Sequence, residues 1–231
     1  MQFFFIILLI GLVLFLFRLY HLANDDYILI KKDVALEDVF NSAFVCSLTA
    51  LFFARTFYVL FNPHPVFFNP LGFLLFPYFP GLSLTGGVLG GIISILLYSK
   101  IKNFPTQRVF DFFTISFIFV LPFGLIGYSL LSHDITTGNT VKLVMYSIIL
   151  IFSNIYLYPK AGVLEIKDGT LSMLFLIFFS LTSLLGTAID HPGIRYFLAH
   201  RENFILLFIL IFSTIFIIKQ EIIERINFNG R

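Results

Sequence analysis

The sequence predicts an all-α integral membrane protein of about seven transmembrane helices, with the N-terminus outside and the C-terminus cytoplasmic. Three observations carry that expectation. Of 231 residues, 58% are hydrophobic and only 12% charged, against about 45–50% and about 25% in soluble domains. Phenylalanine alone supplies 33 residues, more apolar material than a water-facing fold of this length can bury. The apolar residues also fall into seven runs of roughly bilayer-crossing length, each closed by returning charge.

The runs lie near 2–19, 39–61, 82–99, 109–131, 143–158, 171–189 and 204–218, and residues 1–231 read as one polytopic domain. The first lacks a basic leader and is too long for a signal-peptide core, so it reads as a retained helix. The second contains a single charged residue, Arg55. Residues 62–81 are apolar but hold five prolines, at 63, 65, 70, 77 and 80, which remove backbone donors and forbid a straight span. That segment reads as a capping or re-entrant piece on the outer face. The third run opens on Gly86, Gly87, Gly90 and Gly91, and the fourth is loosened near its outer end by Pro122, Gly124 and Gly127. The remaining three are plain apolar runs. Outside them lie a loop around Asn24 to Asp38 and a short basic tail after Ile218.

The basic residues orient the chain. With the N-terminus outside, the inner segments hold Arg18, Lys31, Lys32, Lys100, Lys102, Arg108, Lys160, Lys167, Lys219, Arg225 and Arg231, and the outer ones only Lys142, Arg195 and Arg201. Positive charge is retained on the cytoplasmic side of membrane proteins. The outer side then gathers His64, His133, His191 and His200 beside Asp134, Asp190 and Glu202, while His21 is inner.

Several function classes fall away at once. Cys46 has no second cysteine to pair with, so a disulfide framework and a cysteine-based metal site are excluded. A net charge of +2 with scattered basic residues gives no reason to expect a nucleic-acid partner. The outer His/Asp pairs lack ligand spacing, so no metal and no cofactor is expected. Nucleophile-elbow, phosphate-loop and zinc-protease motifs are absent from the sequence.

Arg55 is the residue whose position asks for an explanation, because a guanidinium inside a span must face a partner, a cavity or a headgroup. It stands six residues before Phe61, about 9 Å below the outer end of its helix at about 1.5 Å per residue. It either snorkels or pairs structurally, or it holds the phosphate of a lipid headgroup, for which its planar fork is suited. The glycine pairs also have two readings. Spaced four apart they let helices approach closely; at a helix start their bare amides and the dipole suit an anion.

The stretch from Leu36 to Asp111 resembles the prolipoprotein diacylglyceryl transferase family. Ala54-Arg55-Thr56-Phe57-Tyr58-Val59-Leu60-Phe61 is similar to that family's Ala-Arg-x-x-Tyr-Val-x-Phe, and Ser83-Leu84-Thr85-Gly86-Gly87-Val88-Leu89-Gly90-Gly91 to its Ser-x-His-Gly-Gly-x-x-Gly-Gly. Lys100, Lys102 and Val109-Phe110-Asp111 resemble its next inner loop and helix start. The resemblance implies a multi-pass enzyme of the bacterial cytoplasmic (inner) membrane, with phosphatidylglycerol and a lipobox-bearing precursor protein as partners. It moves diacylglycerol from the one onto the cysteine of the other. It further implies a headgroup site of Arg55, Thr85, Gly86, Gly87, Gly124 and Gly127, with His133 or His64 handling protons.

The departures are specific. Thr85 stands where the family has histidine, and Gly124-Leu125-Ile126-Gly127-Tyr128-Ser129-Leu130-Leu131-Ser132-His133 keeps only the two glycines of Gly-Arg-x-Gly-Asn-x-x-Asn-x-Glu. The sixth run, 171–189, has no basic residue where the family carries an arginine. A catalytically inactive relative that binds lipid or serves as a membrane scaffold is therefore the alternative reading.

Overall fold

A computed structural model describes residues 2–24, 26–74, 81–132, 136–162 and 166–223, and all regular structure among them is helical. Seven stretches are long and apolar enough to cross a membrane: Ile6–Asn24, Leu36–Phe61, Leu84–Lys102, Thr106–Leu130, Thr137–Ala161, Thr170–Asp190 and Arg201–Glu221. The expected seven-helix class is found, with each span somewhat longer than its apolar run, most of all the fifth and the seventh. The chain divides into two compact units, Met1–Val109 and Phe110–Arg231.

The first unit contains α1 (Gln2–Asn24), α2 (Tyr27–Lys31), α3 (Leu36–Phe61), a 3-10 turn (Pro65–Phe68), α4 (Pro70–Leu74) and α5 (Leu84–Lys102). The stretch read as a loop from Asn24 to Asp38 contains helix α2. Asp26 creates it: Oδ1 accepts the Leu29 N–H at 3.0 Å, while Oδ2 accepts Nε and Nη2 of Arg108 at 3.1 and 2.7 Å. Both side chains are buried, so this ion pair fixes the α1–α2 corner against the start of the next helix, α6 (Thr106–Ser132).

Helices α3 and α5 run antiparallel, and the glycines set their spacing. A Cβ on Gly86 would lie 2.6 Å from the Phe57 Cβ and 2.7 Å from the Phe53 carbonyl oxygen; on Gly90 it would lie 2.6 Å from the Phe53 Cβ and 2.9 Å from the Thr49 carbonyl oxygen. Gly87 and Gly91 are less tight, with nearest atoms at 3.6 Å, the Ala54 Cβ and the Cys46 Sγ. The close approach expected of four-spaced glycines is thus present, carried by one row of the two. Lys102 on Asp38 at 3.1 Å closes the far end of the pair.

The second unit holds most of α6 (Thr106–Ser132), then α7 (Thr137–Phe152), a π turn (Ser153–Leu157), α8 (Tyr158–Gly162), α9 (Thr170–Asp190), α10 (Ile194–Ala199), α11 (Arg201–Ile217) and a second π turn (Ile218–Ile223). Helix α6 continues through Pro122, and a Cβ on Gly124 would meet nothing within 4 Å. The core of the unit centres on α9. Phe179 and Tyr146 are fully buried with ring centroids 6.4 Å apart, Phe175 stands 5.8 Å from Phe179, and the Tyr146 hydroxyl meets Ser183 Oγ at 3.2 Å.

Carboxylates from other helices cap this unit. Asp111 of α6 accepts the N–H groups of Gly169 and Ser172 at 2.7 and 2.8 Å, and also the Ser172 hydroxyl, so it closes the N-terminus of α9. At the other end of α9, Asp190 accepts the Gly138 N–H at 2.8 Å and the Thr136 hydroxyl at 3.0 Å, closing the N-terminus of α7. An anion at each helix start meets orphan amides and the positive dipole end.

Candidate functional site

The candidate site is built on the C-terminal half of α3 and the chain that follows it. Arg55 is only 2% exposed, and burying a guanidinium requires that its donors be met. Its Nε donates to the Phe73 carbonyl at 2.9 Å, Nη2 to Gly72 at 3.0 Å and Nη1 to Gly81 at 2.9 Å. Gly72 and Phe73 lie in the last turn of α4, whose carbonyls have no partner within that helix. Arg55 therefore supplies the C-terminal cap of α4, with its charge on the negative end of the helix. Through Gly81 it also holds the chain just before α5.

Aromatic rings complete the clasp. The Arg55 Cζ lies 4.9 Å from the Phe67 ring centroid and 5.8 Å from that of Tyr58, within the range of cation–π attraction. Gly81 adopts φ +146°, and a Cβ there would fall 2.1 Å from carbon atoms of the Tyr58 ring. Backbone conformation and space both demand glycine. Tyr58 and Arg55, one turn apart on α3, grip the same residue from its two sides. Next, the Ser83 N–H donates to the Ala54 carbonyl at 2.9 Å, and Ser83 Oγ accepts the Gly86 N–H at 3.1 Å, capping α5.

The residues expected at a headgroup site are thus partly brought together. Arg55, Thr85, Gly86 and Gly87 belong to one locality, where the guanidinium and the N-terminus of α5 give a positive potential. Thr85 is 2% exposed, and Gly86 packs directly on α3. His64 is exposed; its Nδ1 accepts the Val66 N–H at 3.4 Å to start the 3-10 turn, and its ring stands 6.0 Å from Phe67, the ring that also contacts Arg55. Gly124 and Gly127 are in the second unit. His133 lies outside the described residues. Among the described residues, no cluster of three His, Cys, Asp or Glu has metal-binding proximity.

Sequence reasoning named Tyr58 and Ser83 only as members of the two motifs and gave them no role, and it did not name Phe67 or Gly81. Tyr58 had a signal, since it stands three residues after Arg55 on the same helical face. Gly81 and Ser83 had a weaker one, a glycine and a capping residue just before a glycine-rich helix.

Comparison with known proteins adds the chemistry that geometry alone does not name. One relative, the phosphatidylglycerol–prolipoprotein diacylglyceryl transferase of Fusobacterium nucleatum subsp. nucleatum, is 34% identical over 97 residues, 42% of this chain and 33% of that protein. A second of the same name, from Wigglesworthia glossinidia brevipalpis, is 38% identical over 92 residues, 39% of this chain and 33% of that protein. The aligned segment thus spans about a third of the curated relatives' length. The family pattern described as prolipoprotein diacylglyceryl transferase matches residues 1–219. On that match, over nearly all of its length, the chain belongs to the prolipoprotein diacylglyceryl transferase family.

Proposed function

We propose that the chain transfers diacylglycerol from phosphatidylglycerol to the cysteine of a prolipoprotein, at the outer face of a bacterial cytoplasmic membrane. The observation that carries this reading is the family match over residues 1–219. In the reaction, the cysteine thiol gives its proton to a base and the sulfur attacks the glyceryl carbon. A C–S bond forms, the C–O bond to phosphate breaks, and glycerol phosphate leaves with the electron pair. The protein's task is to hold that phosphate, since a leaving group whose charge is met by fixed donors leaves more easily.

In this reading Arg55, Thr85, Gly86 and Gly87 attract the headgroup. Proton handling falls to His64 or His133, because Thr85 has no imidazole. The eleven-to-three distribution of basic residues supports an outer N-terminus and a cytoplasmic C-terminus, and one polytopic domain is the working organisation. A phosphate reaching Arg55 exchanges with backbone carbonyls that are neutral acceptors, so the headgroup brings the first full negative charge among these bonds.

The test is transfer of labelled diacylglycerol from phosphatidylglycerol to a lipobox peptide by the purified protein, beside Arg55→Lys and His64→Ala variants. Transfer that falls at least tenfold in Arg55→Lys is expected if Arg55 meets the phosphate, and loss or survival of transfer in His64→Ala assigns the proton to His64 or to His133. A folded, lipid-binding protein without transfer would overturn the transferase reading and leave a lipid-binding relative.

A further inference from the structure

Helices α9 and α11 are both spans, so the segment joining them, from His191 to His200, runs along a membrane surface. It is organised by a stack of three rings. The His191 ring centroid lies 4.0 Å from that of Tyr196 in α10, and the His200 centroid lies 5.1 Å from it, at interplanar angles of 32° and 21°. His191 terminates α9 and His200 precedes α11, so Tyr196 ties the two span ends together. The Asn203 amide, buried in α11, donates to the Phe197 carbonyl at 3.0 Å and fixes α10 on that helix.

Among the exposed side chains on this scaffold are Arg195, Tyr196, Leu198 and Arg201. The neighbouring acids are occupied elsewhere. Asp190 accepts from Gly138 and Thr136 at the start of α7, and Asp190 and Glu202 both face Lys142. Among the described residues, neither Arg195 nor Arg201 has a carboxylate within ion-pair distance. Two guanidiniums beside an exposed tyrosine and leucine, at the level where a span meets water, match the layered chemistry of a bilayer interface. The rings and alkyl groups suit the glycerol region and the forks suit phosphate oxygens.

We propose that the α9–α11 connection is a docking site for anionic phospholipid headgroups, with Arg195 and Arg201 on the phosphate and Tyr196 and Leu198 seated among the glycerol and upper acyl chain. The site belongs wholly to the second unit, and the inference does not rest on the transferase reading. Its effect is to enrich anionic lipid beside this connection.

The chain has no tryptophan, so a Leu198→Trp variant carries a single fluorescent reporter on the patch. The full chain is placed in nanodiscs of phosphatidylcholine containing a fixed minor fraction of either brominated phosphatidylglycerol or brominated phosphatidylcholine. Brominated phosphatidylglycerol should quench the reporter more strongly, with roughly fivefold local enrichment for each arginine engaged, the worth of one basic side chain at an anionic surface. The excess should vanish when Arg195→Gln and Arg201→Gln are added, and should be missing for a Leu130→Trp reporter at the exposed end of α6. Both arginines are exposed, so the fold does not depend on them. Equal quenching by the two lipids, or an excess that survives loss of both arginines, overturns the proposal. Quenching by neither lipid overturns it too, and points to a soluble partner over α10.

Discussion

Arg55 Nη1 lies 2.9 Å from the carbonyl oxygen of Gly81, and this bond joins the C-terminal half of a spanning helix to chain 26 residues further on. With the bonds to Gly72 and Phe73, it makes one guanidinium responsible for two separate points of the proline-rich connection. A buried carbonyl left without a donor costs about 1–3 kcal/mol. Arg55→Ala strands three, of which the bond to Gly72 is buried and those to Phe73 and Gly81 are part-buried. The expected outcome is local release: protease cleavage within residues 62–74 at concentrations that leave the native chain intact, while the helical circular dichroism stays. Arg55→Lys, a point charge that cannot span three acceptors, should fall between. Equal protection of the segment in native and alanine chains would falsify the clasp.

The glycines at the start of α5 should respond to alanine with opposite signs. At Gly90 the new Cβ meets the Phe53 Cβ at 2.6 Å and backbone oxygen at 2.9 Å, neither of which yields without moving α3. Overpacking of this kind costs about 1–3 kcal/mol. At Gly87 the same atom finds its neighbours at 3.6 Å or beyond, an ordinary contact. There the helix gains up to about 1 kcal/mol from the lost flexibility of glycine. Thermal unfolding in detergent should therefore rank Gly87→Ala at or above the native chain and Gly90→Ala below it. A common sign for both would show that the spacing of α3 and α5 is not set by this row.

The sequence made some of this visible and hid the rest for physical reasons. Run length and returning charge reveal spans because a bilayer imposes a fixed thickness, and all seven were legible. Four-spaced glycines announce close packing, but only the partner helix decides that Gly86 and Gly90, rather than Gly87 and Gly91, make the tight row. Arg55 was conspicuous as a charge in an apolar run. Its acceptors were not, since a backbone carbonyl exists at every position and leaves no mark in sequence. Asp111 and Asp190 cap helices whose first turns lie more than 50 residues away, beyond any local capping pattern. Helix α2 was missed because five residues show no periodicity, although Asp26 is an ordinary N-cap.

Asp111 should prove the main anchor of α9. It accepts two backbone N–H groups and a hydroxyl, all buried, so Asp111→Ala leaves three donors without an acceptor. A lost cap alone costs about 0.5–2 kcal/mol, and the orphaned buried donors raise the total above that. Asp111→Asn keeps one oxygen acceptor and should cost less. The measurement is amide hydrogen exchange: Gly169 and Ser172 should lose protection first in Asp111→Ala, ahead of the centre of α9. Faster exchange spread evenly along α9 would instead mean that Asp111 acts through general packing.

The Asp26–Arg108 pair offers a test by repair. Both side chains are at most 7% exposed and their closest atoms are 2.7 Å apart, so removing one partner strands a buried charge, a loss of about 3–5 kcal/mol. Arg108→Met should therefore be severely destabilising in detergent melts. Asp26→Asn on that background removes the stranded charge while its amide oxygen still accepts the Leu29 N–H that starts α2. The double variant should recover most of the stability, because desolvating two ions offsets much of what their attraction contributes. If the double variant is as unstable as Arg108→Met alone, the alkyl stem of Arg108 rather than its charge is what the corner depends on.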